Sequence, residues 1–296
     1  MRPSLDNPVG QLQLVVQQRG DRAIARQQYF QGALRVLRPH YLDESGQVTY
    51  TIVNPGGGYL GGDVYAIDVE VDEEASMLLT SQSATKVYKT PDAPAYQHST
   101  FRLGPGAVLE YVPDQLIAYR DAHYIQDTVV EMDPTASFVS MEIITPGWAP
   151  DGTLFRYDRI QLRQEVRMHG RPVVVDNLLV RPGSETAPAE SLLSMEDKTH
   201  VGSLLAMDAR ITQDLVDELR DTTQQVLENT SALLGSTKLT APHPAPLLGM
   251  SLLEGPGLAL RVLGTSTEQV STALYAVIND LRSRWRGQDP VQLRKY

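Results

Sequence analysis

Polar and apolar residues alternate along the chain from residue 11 to residue 182, in short segments separated by Gly, Pro, Asp or Asn. Residues 12–16, 64–71 and 160–166 are examples. A period of two is typical of β-strands with one buried face. Because no helical pattern lies between these segments, the sequence predicts a large, mainly β body with almost no helix. We expect a β-solenoid (β-helix-like), a sandwich or a barrel. No residue pattern repeats at a fixed period, so a solenoid would be one in geometry only.

The remainder, residues 183–296, contains two patterns with helical spacing. Apolar residues predict one amphipathic helix near 208–234 and a second near 267–286. In the second, Ser266 or Thr267 can cap the first turn, and Glu268 lies where the helix dipole favours an acid. One face of that helix carries Val270, Leu274, Val277 and Leu281. A strand is expected at 258–263. The sequence therefore predicts one domain over 1–296, a β body followed by a mixed part with two C-terminal α-helices.

Composition restricts the classes of partner. The chain has 26 basic and 36 acidic residues and a net charge of −10, which opposes extended binding to nucleic acid or to an anionic membrane. It contains no cysteine, so thiolate catalysis, disulfides and sulfur-based zinc sites are excluded. Residues 1–20 show no secretory apolar run, and no window reaches the ~18 apolar residues of a membrane helix. We interpret the protein as cytoplasmic and soluble.

A glycine-rich segment stands out at residues 54–63, where five of seven consecutive residues from Gly56 to Gly62 are glycine. Its residues are Asn54, Pro55, Gly56, Gly57, Gly58, Tyr59, Leu60, Gly61, Gly62 and Asp63. Glycine allows positive φ angles and close approach of another backbone or a ligand. A phosphate cradle is disfavoured because no Gly-Lys-Ser or Gly-Lys-Thr is present and a strand, not a helix, follows. A tight turn with bulges explains the glycines equally well, but it does not explain Asp63.

Enzymatic and metal-binding patterns are weak. Ser83 and Lys86 have a spacing used by some serine acyl-enzymes, but there the motif lies on a helix, whereas Thr85, Lys86 and Tyr88 are in a predicted strand. No two histidines lie three or four residues apart. The histidines are His40, His98, His123, His169, His200 and His243. The sequence therefore assigns no catalytic residue and no permanently bound metal or cofactor.

Several carboxylates are isolated within apolar, strand-forming segments. They are Asp63, Glu110, Glu142, Glu165 and Asp176. A carboxylate that is buried there is costly unless it is paired or serves a cation. A salt bridge or a solvent-facing position is the ordinary explanation for any one of them.

Five segments in order along the chain resemble the urease accessory protein UreD family, also called UreH. They are residues 31–39, the glycine-rich segment 54–63, residues 84–89 with Ala84-Thr85-Lys86 and Tyr88, residues 109–119, and residues 141–148. Many members have Gly-Arg and then Gly-Glu after the glutamate of the last segment. Here Pro146-Gly147-Trp148 follows, a form that resembles the Gram-positive-type branch, so no role of that arginine or second glutamate is transferred.

The resemblance implies a solenoid-like β fold with two C-terminal helices and a scaffold without turnover. It implies a complex with UreF and the GTPase UreG that docks on the urease apoprotein subunits, in which a homodimer of the accessory complex can occur. It also implies that nickel passes through this complex to the urease active site, so that Ni²⁺ would be a transient cargo. A polar passage with scattered carboxylates would suit transfer, because few oxygen ligands hold nickel loosely. We expect Asp63, Glu142 and Asp176 to line it.

A second class of function is open from the sequence. A β-rich hydrolase or lyase with two carboxylates in one cleft would also use isolated acids in strands. The two classes differ in what they require of the carboxylates. An enzyme needs two of them free and at working distance, whereas a scaffold needs none in that arrangement.

Overall fold

The computed structural model describes residues 2–183, 195–235, 244–291 and 293. Within these, it contains eighteen strands and two helices. The first nine strands are β1 (Gly10–Arg19), β2 (Arg22–Gly32), β3 (Arg35–Val36), β4 (His40–Tyr41), β5 (Val48–Val53), β6 (Val64–Val71), β7 (Ser76–Ser81), β8 (Thr85–Val87) and β9 (Ala95–Leu103). The other elements are β10 (Val108–Val112), β11 (Leu116–Ala118), β12 (His123–Met132), β13 (Ser137–Ile144), β14 (Arg159–Met168), β15 (Arg171–Val180), β16 (His200–Met207), α1 (Gln213–Gly235), β17 (Leu247–Leu252), β18 (Gly257–Gly264) and α2 (Thr267–Arg286).

Successive strands alternate between two facing sheets. Sheet A has the order β15-β14-β12-β9-β6-β1-β2, and sheet B runs β17-β18-β16-β13-β10-β7-β5-β3. In the middle of each sheet the neighbouring strands are parallel, as in β6, β9, β12 and β14. Short strands β8 and β11 form a third side between them. The chain therefore winds in stacked coils, and the solenoid is confirmed over the sandwich and the barrel.

The predicted absence of helix from residues 11–182 is confirmed, since both helices begin after residue 212. One apolar core fills the space between the two sheets, with residues such as Leu12, Met77 and Phe138 completely buried. The alternation of polar and apolar residues explains this core, because every second side chain of each strand points between the sheets. The division into a single domain over 1–296 stays a prediction.

A second apolar cluster lies between the outer face of sheet B and the two helices. The helix predicted near 267–286 is confirmed at α2, and Ser266 is its N-cap, accepting a hydrogen bond from the backbone N–H of Gln269. The predicted face of α2 is buried against sheet B. Each fully buried Val or Leu stabilises the fold by roughly 1.5–3 kcal/mol. The apolar faces of the two helices are therefore buried against sheet B of the same chain.

The first helix begins five residues later than the predicted 208. Asp208 instead accepts hydrogen bonds from the backbone and guanidinium of Arg210 and from the Ser137 hydroxyl, which holds a turn there. Thr212 then caps the helix, with its hydroxyl 3.3 Å from the backbone nitrogen of Leu215. Strand β18 confirms the strand expected at 258–263, whereas β17 was not predicted. No helix in the described ranges is both long and apolar enough to cross a bilayer.

Candidate functional site

Polar side chains cross the apolar core between the two sheets. We call them the interior row: Asn54, Tyr59, Gln97, Tyr111, Gln126, Glu142, Gln164, Asp176 and Ser203. Strand register brings them together, since Gln97 is paired with Gln126 in sheet A and Glu142 with Ser203 in sheet B. Because these residues follow the inward-facing positions of successive coils, the row runs along the solenoid from the glycine-rich segment toward the last strands.

The first part of the interior row borders a cavity of about 50 Å³. Asn54 and Gly58 of the glycine-rich segment line it on one side, and Thr85 and Lys86 of β8 line it on another. Inside, the Tyr59 hydroxyl donates a hydrogen bond of 2.7 Å to Oε1 of the buried Gln97. The segments that carry the family resemblance therefore meet around one small polar space.

The second part borders a smaller cavity of about 20 Å³, which contains room for about one water-sized sphere. Glu142 and Asp176 both line it, and so does Gln126, whose amide donates a hydrogen bond to Glu142. Tyr111 lines both cavities and is 6% exposed. The sequence predicted that Asp63, Glu142 and Asp176 line one passage; the structure brings Glu142 and Asp176 to this cavity, whereas Asp63 is not among its lining residues.

Glu142 has an unusual electrostatic environment. Burial raises the pKa of its carboxyl to about 7, while a hydrogen bond of 2.6 Å donated by the Gln126 amide opposes that shift. The Gln126 Oε1 in turn accepts from the Tyr124 hydroxyl at 3.0 Å. Near neutral pH the Glu142 carboxyl is therefore partly protonated, and its ionised form is a carboxylate that a cation could bind.

Four tyrosines surround these groups and stay neutral. Burial raises the pKa of Tyr59, Tyr65, Tyr111 and Tyr124 far above the usual range of a phenol. The rings of Tyr59 and Tyr65 stack with centroids 3.7 Å apart. Their hydroxyls supply neutral donors and acceptors along the row, and the charge along it comes from carboxylates and arginine.

Asp63 lies at the edge of the row, at the end of the glycine-rich segment. Its Oδ2 accepts hydrogen bonds from the backbone nitrogen of Leu60 at 2.8 Å and from the Tyr65 hydroxyl at 3.1 Å. The same hydroxyl lies 3.4 Å from Nδ2 of Asn54, which borders the first cavity. The carboxylate thus closes the turn and is also connected to the cavity through one tyrosine.

Asp176 is held by a residue that the sequence analysis did not identify. Nη2 of Arg261 donates to both Asp176 carboxylate oxygens at 2.6 Å, and Nη1 donates to the Ser203 hydroxyl. The Asp176 and Arg261 side chains are 31% and 36% exposed. No local pattern could reveal this pair, because 85 positions separate the two residues.

Close packing explains several motif residues. A Cβ on Gly58 would lie 2.6 Å from the Tyr88 ring and 2.8 Å from the Lys86 carbonyl, which accepts from the Tyr59 nitrogen. Gly57 and Gly62 have φ angles of +81° and +82°. The expectation that a backbone approaches this segment is confirmed by β8. The exposed Gly56, Pro55 and Gly61 complete the turn, and Gly56 donates to the Asn54 side chain.

The other two isolated carboxylates have ordinary partners. Glu110 accepts from Arg282 and Arg286, and Glu165 accepts from Arg163 and Arg167. Across the described ranges, no three His, Asp or Glu side chains converge as a metal site would require. Glu142 and Asp176 share a cavity, but both Asp176 oxygens are bonded to Arg261. These two carboxylates are therefore not a free pair of the kind that general acid–base hydrolysis uses.

Comparison with known proteins gives a consistent family. The family model described as UreD urease accessory protein matches residues 9–295. The urease accessory protein UreD of Arthrobacter sp. (strain FB24) is 47% identical, over 98% of this chain and 95% of that protein. The UreD protein of Actinomyces naeslundii is 47% identical, and that of Bacillus sp. (strain TB-90) is 35% identical. In both comparisons the match covers 97% of this chain and 98% of the other protein. These are Gram-positive relatives, as the Pro146-Gly147-Trp148 form indicated.

Proposed function

Because the chain belongs to the urease accessory protein UreD family, we propose that it is a scaffold of urease maturation with no catalytic turnover of its own, which carries nickel through its interior row. The relatives' names support the maturation role. The observation that supports ion transfer is Glu142, a carboxyl inside the body whose proton is exchangeable near neutral pH. A divalent cation that replaces that proton on Glu142 alone leaves one net positive charge, so Glu142 by itself holds the ion only weakly in the core.

The sparse spacing of charges favours transfer over storage. Glu142 and Asp176 line one cavity, and neutral tyrosines and amides separate them from Asp63 along the row. Oxygen ligands that are this few hold Ni²⁺ weakly compared with clusters of imidazole or thiolate. Weak binding at successive positions is what release to a recipient requires. The cavities, of about 50 and 20 Å³, hold a partly dehydrated ion rather than a complete hydration shell.

The partners that follow are UreF, the GTPase UreG and the urease apoprotein subunits, in the cytoplasm, with a homodimer of the accessory complex as a further option. The apolar stripes of α1 and α2 are packed on sheet B. A partner such as UreF would therefore contact the outer faces of these helices or the surface beside them. Co-elution of purified, folded UreF with this chain at micromolar concentration supports this arrangement, and separate elution contradicts it.

The transfer role is tested by Glu142→Gln, which keeps the size and the acceptor oxygen but removes the ionisable group. Urease is matured at limiting nickel with wild-type or variant protein, and the nickel content of the purified urease is measured. We expect the variant to assemble normally and to deliver severalfold less nickel. Glu131→Gln is the matched control, because Glu131 is 51% exposed on the neighbouring strand β12. Equal nickel content with both variants rules out a role for the interior row.

A further inference from the structure

The interior row ends at Arg261, whose positively charged guanidinium binds the carboxylate that a metal cation would bind. Glu142, Ser203 and Arg261 are consecutive cross-strand partners on β13, β16 and β18. From the facing sheet, Asp176 completes the contact, and one guanidinium nitrogen lies 2.6 Å from each of its oxygens. These are distances of a strong charge-assisted hydrogen bond. The guanidinium of Arg261 thus binds the Asp176 carboxylate, which lines the same cavity as Glu142.

The position of this ion pair is at the boundary of the protein. Both side chains are about one-third exposed, whereas Tyr111 at the other side of the same cavity is 6% exposed. Strand β15 is the last strand of sheet A, and only β17 lies beyond β18 in sheet B. The pair therefore lies, partly open to solvent, at the end of the solenoid that is opposite β2 and β3, and its Asp176 also lines the cavity.

We propose that Arg261 closes this end of the interior row, and that its guanidinium must leave Asp176 before a divalent cation can pass. The inference rests on the proposed function, because it assigns a regulating residue to the same passage. While Arg261 is in place, both Asp176 oxygens accept hydrogen bonds from its Nη2, and a positive charge beside Ser203 repels an incoming cation. An arginine that is about one-third exposed can turn toward water, since its charged group remains solvated there.

The inference predicts that removal of the guanidinium strengthens cation binding in the chain itself. Arg261→Met removes the charge and keeps much of the apolar stem. We expect Ni²⁺ affinity, measured by equilibrium dialysis of the full-length chain or its UreF complex, to rise roughly tenfold, because a like charge is removed and a carboxylate is released. The double variant Asp176→Asn with Arg261→Met should lose that gain.

A matched control is available on the outer face of sheet A. Arg102 and Asp68 form another cross-strand pair at 2.6 Å, with both side chains more than 40% exposed and distant from the interior row. Arg102→Met should leave Ni²⁺ affinity unchanged. If Arg261→Met does not fold, Arg261→Lys keeps the charge but loses the two-nitrogen fork that contacts Asp176 and Ser203 together. We expect a smaller gain from Arg261→Lys.

The outcomes distinguish the closing role of Arg261 from the transfer of nickel along the interior row. If neither Arg261→Met nor Arg261→Lys binds Ni²⁺ more tightly, or if Arg102→Met gives the same gain, the role of Arg261 is wrong. If either of these results is obtained while Glu142→Gln still lowers nickel delivery to urease, nickel transfer along the interior row remains supported, but without closure by Arg261. If Glu142→Gln leaves delivery unchanged, the passage itself is wrong, and tighter binding by the Arg261 variants would then show only an adventitious site.

Discussion

Glu110 on β10 and Arg282 on α2 form a completely buried ion pair across 172 positions of sequence. Glu110 is 0% exposed and Arg282 is 1% exposed. The second Glu110 oxygen accepts from Arg286, and Arg282 also donates to Gln47 at 2.7 Å. Glu110 is shared by the two arginines, while Nη1 of Arg286 is buried without a hydrogen-bond partner among the described residues, so this one carboxylate fixes α2 to sheet B at the end of the helix.

The first prediction concerns this cluster. Glu110→Ala leaves two arginines without their carboxylate in a buried environment, and removal of one partner of a buried pair costs about 3–5 kcal/mol. The free energy of unfolding, measured with urea, should fall by that amount. Asp68→Ala breaks an exposed pair with Arg102 and should cost less than about 1 kcal/mol. Similar losses from both variants would contradict the structural role of Glu110.

The second prediction is a pH dependence of stability caused by Glu142. Its pKa is about 7 in the folded chain, against 4.5 for an ordinary glutamate. Below pH 4.5 the carboxyl is protonated in both states. As the pH rises toward 7, the unfolded chain loses the proton first, so the wild type becomes less stable relative to Glu142→Gln. At about 1.4 kcal/mol per pKa unit over 2.5 units, the difference reaches at most about 3.5 kcal/mol above pH 7.

Urea unfolding of the wild type and Glu142→Gln at pH 5 and pH 8 measures this difference. The variant should be clearly more stable at pH 8, by about 1–3 kcal/mol, and nearly equal to the wild type at pH 5. Glu131→Gln, at an exposed position, should show no such change between the two pH values. A variant that is less stable than the wild type at pH 8 would mean that the ionised carboxylate is well satisfied in the fold.

The third prediction concerns packing of the glycine-rich segment. A methyl group on Gly58 would meet the Tyr88 ring at 2.6 Å and the Lys86 carbonyl at 2.8 Å. Gly58→Ala should therefore destabilise the chain by about 1–3 kcal/mol, as overpacking commonly does. Gly249→Ala is the control, because no atom lies within 4 Å of its added carbon. The melting temperatures of the two variants should differ, and equal values would refute the close contact.

Local signals predicted local structure well. The apolar period and the Ser266 cap lie within α2, and its bounds, Thr267–Arg286, agree with the predicted 267–286. Alternation also predicted the strands, but a period of two cannot say which sheet a strand joins, so solenoid and sandwich stayed open. The partners of the carboxylates depend on that topology. Arg261 reaches Asp176 and Arg282 reaches Glu110 only through folding, so the sequence could not tell a paired acid from a free one.

The last prediction separates two roles of Asp63. Its Oδ2 accepts from the Leu60 nitrogen and from the Tyr65 hydroxyl, and either contact can be made by an amide oxygen. Asp63→Asn should therefore keep the turn, the fold and the association with UreF. If the carboxylate only closes the turn, nickel content of the matured urease will not change.

If instead the charge at Asp63 attracts the ion to the Asn54 end of the interior row, nickel delivery falls while assembly survives, because an uncharged oxygen competes poorly with water for a divalent cation. We expect this second result, measured as nickel per urease at limiting nickel. Asp63→Ala provides the comparison, since it loses the turn contacts as well and should also lower the melting temperature. Equal nickel content with wild type and Asp63→Asn would assign Asp63 to folding alone, and Glu142 would then remain the test of the passage.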